Sequence, residues 1–175
     1  MDLSSAAKKK YMELAFAEAK KAQDLHEVPI GAIVVNANGE VVGAGFNHRE
    51  LDQDATQHAE LIAIRQACAT LGTWRLLDCS LFVTLEPCPM CAGAIINARL
   101  KQVVYGAADP KAGAAGSVVN LFDVAKFNHH PQIIRGMYRD EASQMLKKFF
   151  QEIRRQQKQQ KLISDSGENN KNTTN

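Results

Sequence analysis

The sequence predicts an α/β protein, a three-layer α/β/α sandwich built on a mixed, mostly parallel sheet of about five strands. Three observations carry that expectation. Segments with helical spacing alternate with short β-branched or apolar runs along most of the chain. An Asn38-Gly39 pair separates two of those runs near the N-terminus, as in a tight β-hairpin. The 175 residues, 45% hydrophobic and 23% charged, suit one globular domain with a single core. Strands that alternate with helices pair in parallel through helical crossovers, which leaves the hairpin as the antiparallel start of the sheet.

Taken in order, Met12, Ala15, Phe16, Ala19 and Ala22 recur at helical spacing between Ser5 and Leu25. Ile30 to Val35 is a β-branched strand, and Val41-Val42 resumes that character after the turn. A second helix spans His58 to about Leu71, with Ile62, Ala63 and Ala67 on its inner face. Leu81 to Leu85 is a strand stopped by Pro87, and a helix follows from about Pro89 to Ala98. Val103-Val104-Tyr105 forms the next strand. Residues Gly106 to Ser117, with three glycines and five alanines, read as a surface loop. Ile133-Ile134 is the last strand and Glu141 to about Leu162 a long helix. The division is one domain over 1–163 and a polar, disordered tail over 164–175.

A net charge of +2 provides no global attraction for nucleic acid, so a nucleic-acid partner requires a local basic patch. Such a patch lies between Lys147 and Lys161, where Lys147, Lys148, Arg154, Arg155, Lys158 and Lys161 stand against Glu152 alone. They flank Phe149-Phe150, and basic side chains beside aromatics suit backbone attraction plus base stacking; the alternative is a solvated helix face with the two phenylalanines in the core. The lysines at 8–10 run into an amphipathic stretch and not into an apolar segment of about 7–15 residues, which speaks against a secretory signal. The longest apolar run, Ile30 to Val35, is far short of a membrane span. Four cysteines without an export signal argue for free thiols in a cytoplasmic protein.

His58-Ala59-Glu60, followed 27 residues later by Pro87-Cys88-Pro89-Met90-Cys91, is the pattern that carries chemistry. It supplies three ligands suited to zinc and one carboxylate outside the ligand set. A structural zinc site closes with four protein ligands, whereas a catalytic one stops at three and leaves a position for water. Cys88 and Cys91, three apart, lie on nearly one helix face at its positive end, where thiolate is favoured. His58 and Glu60, two apart, would diverge by about 200° in mid-helix. They can share a site only at a helix mouth, so the spacing predicts two helix N-termini meeting at the metal. Two alternatives compete. Cys88-Pro89-Met90-Cys91 could be a thiol redox pair, although such a pair needs neither His58 nor Glu60. A structural zinc site would draw a fourth ligand from Cys68, Cys79, His26, His48, His129 or His130.

With those residues in hand, the chain resembles the bacterial tRNA-specific adenosine deaminases of the cytidine-deaminase-like superfamily, over about Lys10 to Arg155. Beyond the metal pattern, the likeness rests on Glu27-Val28-Pro29-Ile30-Gly31-Ala32, Gly45-Phe46-Asn47, Val83-Thr84-Leu85-Glu86-Pro87-Cys88 and Met90-Cys91-Ala92-Gly93-Ala94. Asp109-Pro110-Lys111 running to Gly113-Ala114-Ala115-Gly116-Ser117, with Phe127-Asn128-His129 and Phe149-Phe150, favours the tRNA branch over the cytidine, cytosine, guanine and deoxycytidylate deaminases.

The resemblance implies hydrolysis of adenosine to inosine at the first anticodon position of an arginine tRNA. It implies one Zn2+ per subunit on His58, Cys88 and Cys91, with Glu60 as proton shuttle. It implies a homodimer that takes a tRNA anticodon stem-loop, with neither membrane nor DNA as partner. Asn47 matches a base-contacting residue and Val28 and Pro29 match pocket walls. Asp109 and Lys111 match a loop touching the anticodon, Asn128 a further substrate contact, and Phe149 an aromatic near the pocket. Glu86 reads as a cap for the cysteine helix, with a place in the pocket or behind the ligands as the alternative. The chain departs from the family at Ala55, Gln57 and His130, where proline, alanine and arginine are usual. The first two alter loop stiffness, and the third puts in doubt a constant phosphate contact at that point.

Overall fold

A computed structural model describes the backbone of residues 3–169 and the side chains of residues 3–163. Helix α1 (Ser5–Asp24) is followed by strands β1 (Gly31–Val35) and β2 (Val41–Phe46), helix α2 (Ala59–Leu71) and strand β3 (Ser80–Leu85). Helix α3 (Pro89–Asn97), strand β4 (Gln102–Ala107), a 3-10 turn at Leu121–Asp123, strand β5 (Gln132–Ile134) and helix α4 (Arg139–Asn169) complete the order. The sheet runs β2-β1-β3-β4-β5. β1 is antiparallel to both β2 and β3, while β3, β4 and β5 are mutually parallel. Four strands therefore point one way and β1 alone opposes them, the mixed, mostly parallel α/β sheet that the alternating pattern predicts.

Both faces of the sheet are covered. Ala32, Val34, Leu81, Val83, Val103 and Tyr105 face the layer of α2 and α3, packing with Ala63, Ala67, Ile95 and Leu100. The alternate residues Ile33, Val35, Phe82 and Val104 face α1 through Tyr11, Met12 and Ala15. That two-sided burial explains why β1 reads as a continuous apolar run. The 106–117 loop is shorter and less superficial than its composition suggests. Gly106 and Ala107 belong to β4, and Gly113, Ala114 and Ala115 are buried. α4 starts two residues before the expected Glu141, and its backbone continues over 164–169, where polar composition implies a disordered tail. The rest of that tail, 170–175, lies outside the described residues.

One contact fixes where the mouth of α2 lies. α2 sits on β2 at a separation set by missing side chains. A Cβ at Gly43 would lie 2.1 Å from the Ala63 carbonyl oxygen and 2.8 Å from the Ala67 nitrogen. At Gly45 it would lie 2.6 Å from the carbonyl oxygen of Ala59, the first residue of α2. These glycines and the small residues of α2 place the helix and the His58-Ala59-Glu60 segment at its mouth. Replacing Gly43 with alanine forces helix backbone away from the sheet. The expected loss is about 2–3 kcal/mol, or about 5–10 °C in melting temperature for a chain of this size. An unchanged melt would show that α2 does not rest on β2 at this point.

Candidate active site

The strand registers gather four connections at one end of the sheet. β1 begins where β2 ends, with Gly31 opposite Phe46. The start of β1 lies beside the end of β3 at Ala32 and Val83, and the end of β3 beside that of β4 at Leu85 and Ala107. The segments 25–30, 47–58, 86–88 and 108–117 therefore share one edge.

His58 is the N-cap residue of α2 (φ −79°, ψ 148°) and Cys88 that of α3 (φ −73°, ψ 172°), with Pro89 opening α3. Both are extended, and neither side chain caps its own helix, which leaves imidazole and thiol to face each other. Cys91, fully buried, projects from the first turn of α3. His58 Nδ1 lies 3.6 Å from Sγ of Cys88 and 3.6 Å from Sγ of Cys91. The three donor atoms all fall within 4.8 Å of one another, the only such group of potential metal ligands among the described residues. A tetrahedron with Zn–S of about 2.3 Å and Zn–N of about 2.0–2.1 Å has an N···S edge of about 3.6 Å. The donor set thus matches zinc in chemistry and in spacing, and the two helix mouths meet as the sequence spacing predicts. Neither Cys79, buried in the core, nor Cys68, half-buried against it, joins that group as a fourth ligand.

The electrostatics of the triad point the same way. A hydrogen bond from Cys91, against the opposing effect of burial and with help from His58, lowers the Cys88 thiol to about 4. The price falls on Cys91, whose own thiol is pushed far up by bonding to Cys88 and by burial. His58 is raised by its bond to Cys88, with burial opposing. Two adjacent sulfurs cannot both ionise without a cation, and a divalent ion among them supplies that charge.

Glu60, in the first turn of α2, is 4% exposed. Burial pushes its carboxyl up to about 7, opposed by its own backbone N–H and by His58. A carboxyl poised there gives and takes a proton near neutral pH, as a general acid–base needs.

The remaining predicted residues divide. Val28 is half-buried and Pro29 buried on the segment entering β1, and Asn47 follows β2 directly with its N–H on the Ile30 carbonyl at 3.1 Å. These three share the edge with the triad. Asp109 does too, and Lys111 beside it is exposed. Asn128 does not join them in this chain. It precedes β5, and its neighbour His129 bonds the Leu100 carbonyl at 2.7 Å, at the end of the sheet where β4 begins. Phe149 is 8% exposed and stacks edge-on with Phe150 at 5.4 Å. His130 bonds the Phe122 carbonyl at 2.9 Å.

Two buried carboxylates have roles that local sequence does not show. Glu27, 1% exposed, accepts from Asn47 Nδ2 at 2.9 Å and from the Leu51 N–H at 2.5 Å, which orients the Asn47 amide. The only hint in sequence is an acidic residue set against an apolar run. Glu86 does not cap α3, contrary to its reading from sequence. It turns to the 109–117 loop, accepting from the N–H groups of Asp109, Ala115 and Ser117 and from the Ser117 hydroxyl. Burial acts to raise its pKa, but those bonds, Ser117's first, outweigh it and hold Glu86 below the usual carboxylate range.

The MafB19-like deaminase family model matches residues 6–154. A tRNA-specific adenosine deaminase of Bacillus subtilis (strain 168) is 48% identical over 148 residues, 85% of this chain and 91% of that protein. A tRNA(Ile)-lysidine synthase of Deinococcus radiodurans is 50% identical over 141 residues, which are 81% of this chain and 24% of that much longer protein. Among solved structures, one from studies of A-to-I editing by tRNA deaminases at the wobble position is similar at a TM-score of 0.75. It is 44% identical, and the match covers 78% of this chain and 99% of that one. With a cytidine-deaminase-like fold, the deaminase metal pattern assembled at two helix mouths and these matches along its length, the chain belongs to the family of tRNA-specific adenosine deaminases, within the MafB19-like deaminases.

Proposed function

We propose that the protein hydrolyses adenosine to inosine at the first, wobble position of a tRNA anticodon, with an arginine tRNA as substrate and one zinc ion per subunit. The observation that carries this reading is the buried Glu60 carboxyl beside a three-ligand site, a ligand set that leaves one tetrahedral position open. The names of the relatives support the choice of adenosine and tRNA.

His58, Cys88 and Cys91 would hold the zinc, which supplies Lewis-acid activation of water when bound. Glu60 takes the proton from the attacking water and delivers it to N1 of adenine as C6 is attacked. It then takes the remaining proton from the oxygen added at C6 and passes it to the departing amino group, so that water and adenosine become ammonia and inosine. Asn47, with its amide turned by Glu27, contacts the base, and Val28 and Pro29 wall the pocket. Asp109, Lys111, Asn128 and Phe149 border the anticodon, Asn128 from the partner subunit of a homodimer. The exposed Leu71, Trp74 and Leu77 offer apolar surface for such an interface. Along α4, Lys147, Lys148, Arg154 and Lys158 are exposed and suit phosphate contacts, while Arg155 is held by Glu152 at 2.9 Å. Among the described residues no helix is long and apolar enough to cross a membrane, and the reading has the enzyme act in the cytoplasm, where tRNA is found.

Inosine mapping across total tRNA, run beside ammonia release from free adenosine, adenine, cytidine and guanine, tests the substrate. Inosine should arise at the wobble position of arginine tRNA. Turnover of a free base with none of the RNA would sink the reading in favour of a small-molecule deaminase. Glu60→Gln should lower kcat about 10²–10⁴-fold while zinc content and stem-loop affinity hold. Inosine formed at the wild-type rate would remove Glu60 from the proton path. Adding zinc to metal-free protein at pH 8 should release at least one proton per chain, from the Cys91 thiol and the His58 imidazole, both raised in the triad. Calorimetry in buffers of different ionisation enthalpy reads that number, and zero would contradict the thiolate assignment.

A further inference from the structure

We infer that Glu86 is a positioning residue that fastens the 109–117 loop to the metal-bearing segment and, through that loop, sets how tightly substrate is held. This role rests on the tRNA-deaminase reading, in which the loop borders the bound anticodon.

Glu86 is 2% exposed and stands two residues before Cys88. Its Oε1 accepts from the Ala115 N–H at 2.9 Å and the Ser117 N–H at 3.1 Å. Its Oε2 accepts from the Asp109 N–H at 3.0 Å and from the Ser117 hydroxyl. Four donors fill the roughly four acceptor positions of an ionised carboxylate, and all four come from one loop. Main-chain bonds run alongside, from the Glu86 N–H to the Ala107 carbonyl and from the Ala114 N–H to the Pro87 carbonyl, each 2.8 Å. The loop is wrapped directly on the carboxylate. A Cβ at Gly113 would lie 2.5 Å from Cδ and from Oε2 of Glu86, and 2.6 Å from the Asp109 carbonyl oxygen.

The consequence reaches the predicted RNA contacts. Asp109 donates its N–H to Glu86, while its Oδ1 accepts from Lys111 N–H at 2.9 Å and Ala112 N–H at 3.2 Å. The positions of Asp109 and Lys111 therefore follow from where Glu86 holds the loop. Burying a charge only to satisfy four neutral donors is costly as a purely structural device. It gains a purpose if the loop must be ordered before a ligand arrives, since preorganisation lowers the cost of binding. The metal triad and Glu60 make none of these bonds, so loosening the loop weakens binding and leaves chemistry near normal.

Glu86→Gln keeps size and shape but presents one oxygen and one NH2. Whichever way the amide turns, two loop donors face its NH2, and of the four only the Ser117 hydroxyl can turn to accept. The variant should bind one zinc per chain and lose amide-exchange protection over 109–117. Its KM for an anticodon stem-loop should rise about tenfold while kcat stays within about threefold. Gly113→Ala leaves the carboxylate intact and displaces the loop, so it should produce the same split, and it serves alone if Glu86→Gln fails to fold. Unchanged KM in the folded variants, with wild-type turnover normal, overturns the role of Glu86 alone. Loss of zinc, or a fall in kcat at constant KM, would assign Glu86 to the metal site instead and also overturns it. A wild-type protein that makes no inosine from the stem-loop overturns the tRNA reading and this role with it.

Discussion

Three donor atoms from segments thirty or more residues apart must lie within 4.8 Å of one another, and most of the fold can be understood as the means to that end. Each ligand-bearing segment opens a helix, and each helix comes after a strand or loop that the sheet has already placed. The antiparallel turn of β1 against β2 brings the end of β2 beside the ends of β3 and β4. The glycines of β2 then draw α2 close enough for its mouth to reach that of α3. The N-terminal dipoles of both helices meet at this point and favour the thiolate forms that bind metal.

Two buried carboxylates at this edge are tuned in opposite directions by the same principle. Glu60 is inaccessible, and burial dominates and lifts its carboxyl to about 7. Glu86 is as inaccessible, yet its hydrogen bonds from the 109–117 loop outweigh burial and keep it ionised. Burial alone makes a carboxyl a proton carrier, and burial with a full set of donors makes it an anchor. Neither assignment comes from the residue type, and both come from the surroundings. Glu27 is a third case, an inaccessible acid whose two acceptor contacts orient the amide of Asn47.

Much of the molecule is legible in its sequence, because the signals are local. Helical and strand periods, the Asn38-Gly39 turn and the Pro87 and Pro89 punctuation mark the elements to within a few residues. The cluster of His58, Cys88 and Cys91 with Glu60 is legible as a candidate site because metal chemistry restricts residue type and a shared helix mouth restricts spacing. The alanines and glycines of 106–117 mislead, since small residues serve an exposed loop and a tightly wrapped buried one equally well. The placement of Asn128 is not legible locally, for a sequence match does not say at which end of the sheet the loop before β5 lies.

The sequence by itself determined the α/β/α architecture and singled out His58, Glu60, Cys88 and Cys91 as a candidate site. Both rest on local patterns, the period of each element and the residue spacing within each short segment. Only the tertiary structure decided that Glu86 grips a loop 23 to 31 residues further on, that Glu27 orients Asn47 across 20 residues, and that Gly43 seats α2. Those pairings are set by register and by the close approach of separate segments, and no local pattern of residues records which distant donor a buried carboxylate will meet.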